Sequence, residues 1–389
     1  MMHGNKSLVI GLLMTVVAFF SRCMHGQDGE ISDPRGERYA SAATCVSCHS
    51  QVVHTYAHNV HYKTSALVNS DTIKQLVAGN RGQFYFSDSS YIRIEGDERG
   101  FFQAHYVDGA KAVAPRFDIA FGSGEKAQTF GYWKDQLLQQ LPLTWYATMH
   151  TWANSPGFTA RYAWYDRVIT SRCFECHASN VDRKMVPSGP LSVTEHLDSS
   201  SIIYGIDCQR CHGPAAEHVR FHQEHPDEKA GKYMASIKAL PRQRQLDLCA
   251  VCHSGNDQSA QRSMFSFVPG DTLSHFYFPS FGDNGGEPDV HGKQMQLLSS
   301  SQCFIKSGMT CTSCHNTHVP EKDQMTYFVS KCMDCHRGAA HPTDVNLTSA
   351  TCIDCHMPLQ SSKVIHFNNG AGEKDIPYFI RTHKIAIYK

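Results

Sequence analysis

The chain has 389 residues, with 36 basic and 36 acidic side chains that cancel to a formal net charge of zero, and 41% hydrophobic residues. Such a balance excludes the strongly basic character of a nucleic-acid binder. What departs from an ordinary composition is the 16 cysteines and 24 histidines.

Residues 1–22 open on a weakly basic stretch (His3, Lys6) and continue into an apolar run, Ser7 to Phe20. That run is too short to span a bilayer and suits the core of a signal peptide. Cys23 follows at once. It is either the lipidated first residue of a lipoprotein, tethered to a membrane surface by acyl chains, or is carried away with an ordinary cleaved signal. Arg22 is unusual before a lipidated cysteine, but no Ala-x-Ala cleavage site is visible either. No other segment is a transmembrane candidate.

Beyond the leader, Cys-x-x-Cys-His occurs seven times: Cys45/Cys48/His49, Cys173/Cys176/His177, Cys208/Cys211/His212, Cys249/Cys252/His253, Cys311/Cys314/His315, Cys332/Cys335/His336 and Cys352/Cys355/His356. At this composition chance supplies roughly 0.04 copies. The pattern is the attachment site of c-type haem: each cysteine adds across one vinyl group, and the histidine ligates the iron from beneath the ring. Zinc would need two separated ligand pairs per ion and gives no reason for a histidine after every second cysteine. A disulfide framework leaves the same histidines unexplained, and a thioredoxin-like site needs one pair in a βαβ setting. Seven covalent haems and their irons are therefore expected, outside the cytoplasm, in agreement with an exported chain.

A mature chain of about 365 residues leaves about 50 residues per haem, so the porphyrins supply much of the apolar surface that side chains would otherwise bury. Two propionates per haem outweigh the iron and make the holoprotein net acidic. Between the first and second motifs, Phe84/Phe86, Tyr91–Ile94 and Phe101–Val107 read as short strands, with turns at 88–90, 95–100 and 108–109. Phe117, Ile119 and Phe121 alternate before Gly122-Ser-Gly124, and Thr129 to Leu141 suggests a further hairpin. Residues 80–145 are thus expected to form a small antiparallel β insertion. His54, His58 and His61 share one face of a helix continuing from the first motif. Pro241 suits the first turn of a helix entering the fourth. The expected fold is mainly α and loop-rich, one heptahaem domain over 43–383 that includes the 80–145 insertion.

An iron with two histidine ligands passes electrons, whereas an open distal side permits chemistry. Candidate distal ligands are His61, His218, His318, His291, His341, His366 and His383. His54, His58, His105, His150, His196, His222, His225 and His275 read as structural or exposed. No methionine holds a distinctive position, and Cys303, outside any motif, reads as a packed thiol.

Several stretches resemble the multihaem c-type cytochromes related to hydroxylamine oxidoreductase, its tetrahaem electron-acceptor cytochrome and pentahaem nitrite reductase. They are Ala43 to His49 with His61, Gly122-Ser-Gly124, Leu141-Pro142, Trp152 with Ser155-Pro-Gly157, and Asp207 to Pro214 with His218. Further on come Pro269-Gly-Asp271, His291 to Phe304, Cys311 to His318 and Cys352 to Pro358. In that group a histidine beyond His-Gly-Pro commonly serves as a distal ligand, which the resemblance carries to His218 and, likewise, to His61 and His318. Nitrite reductases of the group replace one motif histidine by lysine, but all seven motifs here end in histidine. The cross-linked tyrosine of hydroxylamine oxidoreductase has no match. The expected function is extracytoplasmic electron transfer between redox partner proteins, in the periplasm or at the cell surface. The rival is reduction or oxidation of a small nitrogen or sulfur oxyanion at one open haem.

Overall fold

The computed structural model describes residues 33–79, 81–255, 257–278, 287–321, 325–338, 341, 352–368, 370 and 375–388. The expected signal segment and Cys23 lie outside them. Fourteen strands are present among the described residues: β1 (Ser65–Leu67), β2 (Gln83–Ser87), β3 (Ser90–Asp97), β4 (Gly100–Val107), β5 (Ala110–Val113), β6 (Ile119–Phe121), β7 (Ala127–Lys134), β8 (Leu137–Gln140), β9 (Leu143–Tyr146), β10 (Thr151–Asn154), β11 (Ala178–Gly189), β12 (Ser192–Tyr204), β13 (Leu359–Phe367) and β14 (Ile376–Arg381).

Strand β2 shows why the sheets form: Phe84 and Phe86 are buried while Gln83, Tyr85 and Ser87 face out, the two-residue period of a one-sided strand. Ile92 and Ile94 repeat the pattern on β3. Strands β2 to β5 make an antiparallel meander, and Asp108-Gly109, at φ 50° and 79°, supplies the left-handed pair that joins β4 to β5. A second sheet runs β1-β6-β7-β9-β10, with β8 also on β7. Phe84, Ile92, Phe130, Leu143, Trp145 and Trp152 belong to one buried core shared by the two sheets. Buried Gln103 on β4 ties them together through both hydrogen bonds of its amide to the Leu143 backbone, at 2.9 and 3.0 Å. The β13–β14 hairpin docks on the same core, with Phe367 stacked on Tyr146 at 4.3 Å.

The fold is therefore not mainly α: helix and strand take 29% each of the described residues, in several antiparallel sheets. The strands are not confined to 80–145 but begin at β1 and return in β11–β12 and β13–β14. Two causes explain the difference. The motif helices are short, as in Cys208–His212, Cys352–His356 and Ser171–His177. One turn suffices to set Cys-x-x-Cys-His. The long β11–β12 hairpin is exposed along much of both strands, so no apolar alternation marked it. The helix Ala42–Tyr56 carries the first motif, is kinked at His49 and stops before His58 and His61. The three histidines assigned to one helix face thus do not share a helix. The helix behind Pro241 does form, over Arg242–His253. No helix of the described residues is long and apolar enough to cross a membrane.

Candidate haem-attachment centres

Hydrogen bonds from residues inside the motifs pack the short motif helices against one another. Asp207 caps Cys208–His212 by accepting from the Arg210 N–H at 2.8 Å, and is itself held by the buried Arg35 guanidinium at 3.2 and 2.5 Å. Gln209 pairs with the Ala40 backbone at 2.8 and 2.9 Å, joining the third motif to the segment leading into the first. Gly205, at φ 67°, packs on the Tyr62 carbonyl so closely that a Cβ there would lie 2.0 Å from the oxygen. The close approach lets Ile206 N–H bond to the His61 carbonyl at 2.9 Å.

Glu175, between the cysteines of the second motif, is only 4% exposed. Its carboxylate accepts from Met264 N–H at 2.9 Å, Ser263 Oγ at 3.1 Å and Arg172 at 2.6 Å. Its carbonyl accepts from Arg210 of the third motif at 3.1 Å and from the Cys252 thiol of the fourth at 3.7 Å. Three motifs thus converge on one residue. Glu175→Ala leaves the buried Met264 N–H and Ser263 hydroxyl unpaired and is expected to destabilise the folded protein by about 2–4 kcal/mol, read as a lower denaturant midpoint; an unchanged midpoint would show that the carboxylate adds nothing to what the Glu175 carbonyl holds.

The fifteen cysteines of the described residues are all free. Thiols of different motifs are near enough to perturb one another's ionisation: Cys45 with Cys208, Cys176 with Cys252, and Cys249 with Cys311. Cys211 is an electrostatic neighbour of Cys249, Cys314 of Cys335, and Cys332 of Cys352. Cys303 lies within the field of Cys314 and Cys332.

The sequence assigns Cys48 and Cys355 to haem attachment, and the structure leaves both exposed. Their helices are the reason. Ala42–Tyr56 buries none of its residues, and Cys352–His356 buries only Ile353, so the second cysteine of each turns outward. The Cys48 thiol has a local neighbour, Ser47 Oγ at 3.7 Å. Cys173 and Cys335 are exposed as well, though Cys335 keeps its neighbour Cys314. No group of three or more metal-binding side chains exists among the described residues, which is the arrangement zinc would require.

The histidines are arranged in pairs. Ring centroids of His49 and His218 lie 6.3 Å apart, of His212 and His318 5.8 Å, of His253 and His61 6.0 Å, of His315 and His383 6.2 Å, and of His356 and His341 6.3 Å. His177 and His291 are electrostatic neighbours. Each of these joins a motif histidine to one outside the motifs, whereas His54–His58 at 5.3 Å and His218–His222 at 4.6 Å are closer pairs wholly outside them. His366, by contrast, is exposed on β13 with its backbone opposite Pro377. Neither it nor the motif histidine His336 has a ring contact with another histidine among the described residues.

A metal–imidazole bond of about 2 Å plus the radius of the ring places two imidazole centroids about 6.3 Å apart across one shared ion. The pairs fall close to this spacing, beyond direct stacking, so the residues fit an iron between them. The outer nitrogens fit as well. His177 Nδ1 donates to the Thr64 carbonyl at 3.2 Å, His356 Nδ1 to Ala386 at 2.9 Å and His218 Nδ1 to Lys232 at 2.8 Å. His61 Nδ1 bonds to Asn59 Oδ1 at 3.2 Å. A carbonyl only accepts, so the proton sits on Nδ1 and the lone pair on Nε2, the tautomer a ligand needs. Burial also keeps the rings neutral, lowering the pKa of His61 and His383 to about 4 and those of His177, His212, His253 and His291 below the usual value. His315 goes the other way, raised by its hydrogen bond to Glu321.

Sequence reasoning missed the supporting residues. Buried Asn59 fixes His61 and donates to the Val319 carbonyl at 2.6 Å, next to His318. Burial works against ionisation of Asp289, but the N–H groups of Lys363 and His291 and the Ser362 hydroxyl hold its carboxyl below the usual range. The nearest signal is the position of Glu175 and Arg210 between the cysteines of their motifs.

The class these features define is the multihaem c-type cytochrome. Two curated relatives belong to it. The multiheme cytochrome MtrA of Shewanella baltica is 24% identical over 203 residues, 49% of this chain and 54% of that protein. The C-type polyheme cytochrome OmcC of Geobacter sulfurreducens is 26% identical over 172 residues, 42% of this chain and 20% of that protein. The chain thus spans about half the length of the first and a fifth of the second. Among solved structures, the outer cell wall cytochrome OcwA aligns with a TM-score of 0.53 at 17% identity, over 90% of this chain and 79% of that one, a likeness of fold. No family model matches. Homology to multihaem cytochromes and the motifs agree on covalent haem c and iron as the cofactor.

Proposed function

We propose that this chain is an exported electron-transfer protein with seven covalently attached c-type haems, working between redox partner proteins in the periplasm or at the cell surface. The observation that carries it is the pairing of five motif histidines with a second histidine at 5.8–6.3 Å. In this reading His218, His318, His61, His383 and His341 are distal ligands to the sites of His49, His212, His253, His315 and His356, and His291 serves that of His177. Bound haem c supplies a one-electron Fe(III)/Fe(II) couple. At those six sites two histidines would hold the group and leave little room for substrate; His336 of the sixth motif has no such partner among the described residues.

The thiol neighbours support continuity. Attachment points of the first and third motifs adjoin, then third and fourth, fourth and fifth, fifth and sixth, sixth and seventh; the second motif joins at the fourth. The path has ends at motifs one, two and seven and branches at the fourth. Exposed Cys48, Cys173 and Cys355 belong to those end motifs and exposed Cys335 to the internal sixth, so attachment close to the surface would offer partners several points of electron exchange. Export rests on the apolar run Ser7–Phe20 and on a structural neighbour named for the outer cell wall; lipidation of Cys23 rests on its position alone. Kinship with the hydroxylamine oxidoreductase group rests on the stretches that resemble it.

The test is intact-mass analysis of the mature protein with electron-paramagnetic-resonance and optical spectra. Seven added haems and low-spin ferric signals indifferent to cyanide and nitrite are expected. A high-spin population that shifts on adding either anion would overturn the pure relay in favour of catalysis at an open site.

A further inference from the structure

One motif histidine is held unlike the others. Both carboxylate oxygens of Glu321 lie 2.9 Å from His315 Nδ1, whereas His177 and His356 give the same proton to neutral backbone carbonyls. Glu321 arrives on a short loop, His315-Asn-Thr-His318-Val-Pro-Glu321. That loop is pinned by the Asn59 amide on the Val319 carbonyl at 2.6 Å and by the His318 N–H on Asn316 Oδ1 at 3.2 Å. The same few residues bring His318 to His212 and the carboxylate to His315, whose ring stacks at 20° opposite His383.

A carboxylate draws the Nδ1 proton away from the ring far more strongly than a carbonyl does, and gives the imidazole imidazolate character. The other nitrogen then becomes a better donor to a metal. A stronger donor stabilises Fe(III) relative to Fe(II). We infer that Glu321 is a positioning residue that sets the reduction potential of the site anchored by Cys311, Cys314 and His315, making it more negative than a neutral acceptor would. This rests on the proposed ligation of iron by His315. Along the path of attachment points the site stands between the fourth and sixth motifs, so Glu321 fixes the height of an internal step.

The test compares the holoprotein with its Glu321→Gln and Glu321→Asp variants, each first shown by mass and by low-spin resonance to carry all its haems. Glu321→Gln keeps an acceptor oxygen and removes the charge. In a potentiometric titration it should move one component to more positive potential by at least a tenfold change in the reduction equilibrium, about 59 mV for one electron. The g-anisotropy of one low-spin signal should change with it, and Glu321→Asp should retain most of the native value. Unmoved potentials with haems and spin state intact would overturn the inference. So would a shifted potential with unchanged g-values, the mark of a through-space charge alone. Absence of bis-histidine low-spin iron in the unaltered protein would instead sink the ligation reading, and this one with it.

Discussion

Made without haem attachment, by replacing the fourteen motif cysteines with serine, the chain is expected to keep its sheets and lose most of its helical circular dichroism. The helix Ala42–Tyr56 buries none of its residues, and neither does Met325–Met333. Several other motif helices run to five or seven residues. Isolated helices below about 12–15 residues are marginal in water, so these need a packing surface that neighbouring side chains do not provide. The sheet region has its own: Phe84, Ile92, Phe130, Leu141 and Leu143 are fully or almost fully buried together. Amide exchange should therefore stay slow in β2 to β4 and β7 to β10 and become fast through the first, third, sixth and seventh motifs. The fourth should be intermediate, since Ala250 and Val251 reach a small core with Met264, Phe267 and Phe276. Slow exchange throughout the haem-free chain would show that side chains alone support the motif helices.

How much was legible in the sequence follows from which constraints are local. Covalent attachment demands a fixed spacing, so the seven motifs and their proximal histidines could be read directly. The spacing does not say which thiols face inward, and Cys48 and Cys355 turn out exposed where Cys211 and Cys252 lie among other motifs. Strands β2 to β4 could be read because one face is buried and the other wet. The hairpin β11–β12 was illegible because its strands pair through backbone hydrogen bonds while side chains such as Met185, Leu191 and Val193 stay exposed. The histidine pairs are long-range: nothing near His49 points to His218, and nothing near His315 to His383. His61 and His318 follow closely on a motif and face His253 and His212, rings other than those of their own motifs, but the spacing does not say which ring each would meet. The least visible layer was the polar one. Asn59, Glu175, Asp289 and Glu321 look like ordinary surface residues until the chain folds a partner onto each.

Replacing distal histidines singly should divide the candidates sharply. His218→Ala, His318→Ala and His383→Ala are each expected to convert one iron equivalent from low spin to high spin, and cyanide should return it to low spin. The reason is geometric: each ring lies 5.8–6.3 Å from a motif histidine. Neither His212 nor His315 has a ring contact with a further imidazole among the described residues. At His49 the nearest substitute is His222, whose ring is 4.6 Å from that of His218. His218→Ala with His222→Ala therefore guards against rescue. His61→Ala should do the same at the site of His253 and leave the loop bearing His318 in place, because Asn59 still accepts from the residue-61 backbone N–H and still donates to the Val319 carbonyl. His366→Ala is the control. Its side chain is exposed on β13, and the spin-state count should not move. A protein that stays fully low-spin after loss of His218 with His222, of His318 and of His383 would show that the histidine pairs do not share irons, and that the spacing has another cause.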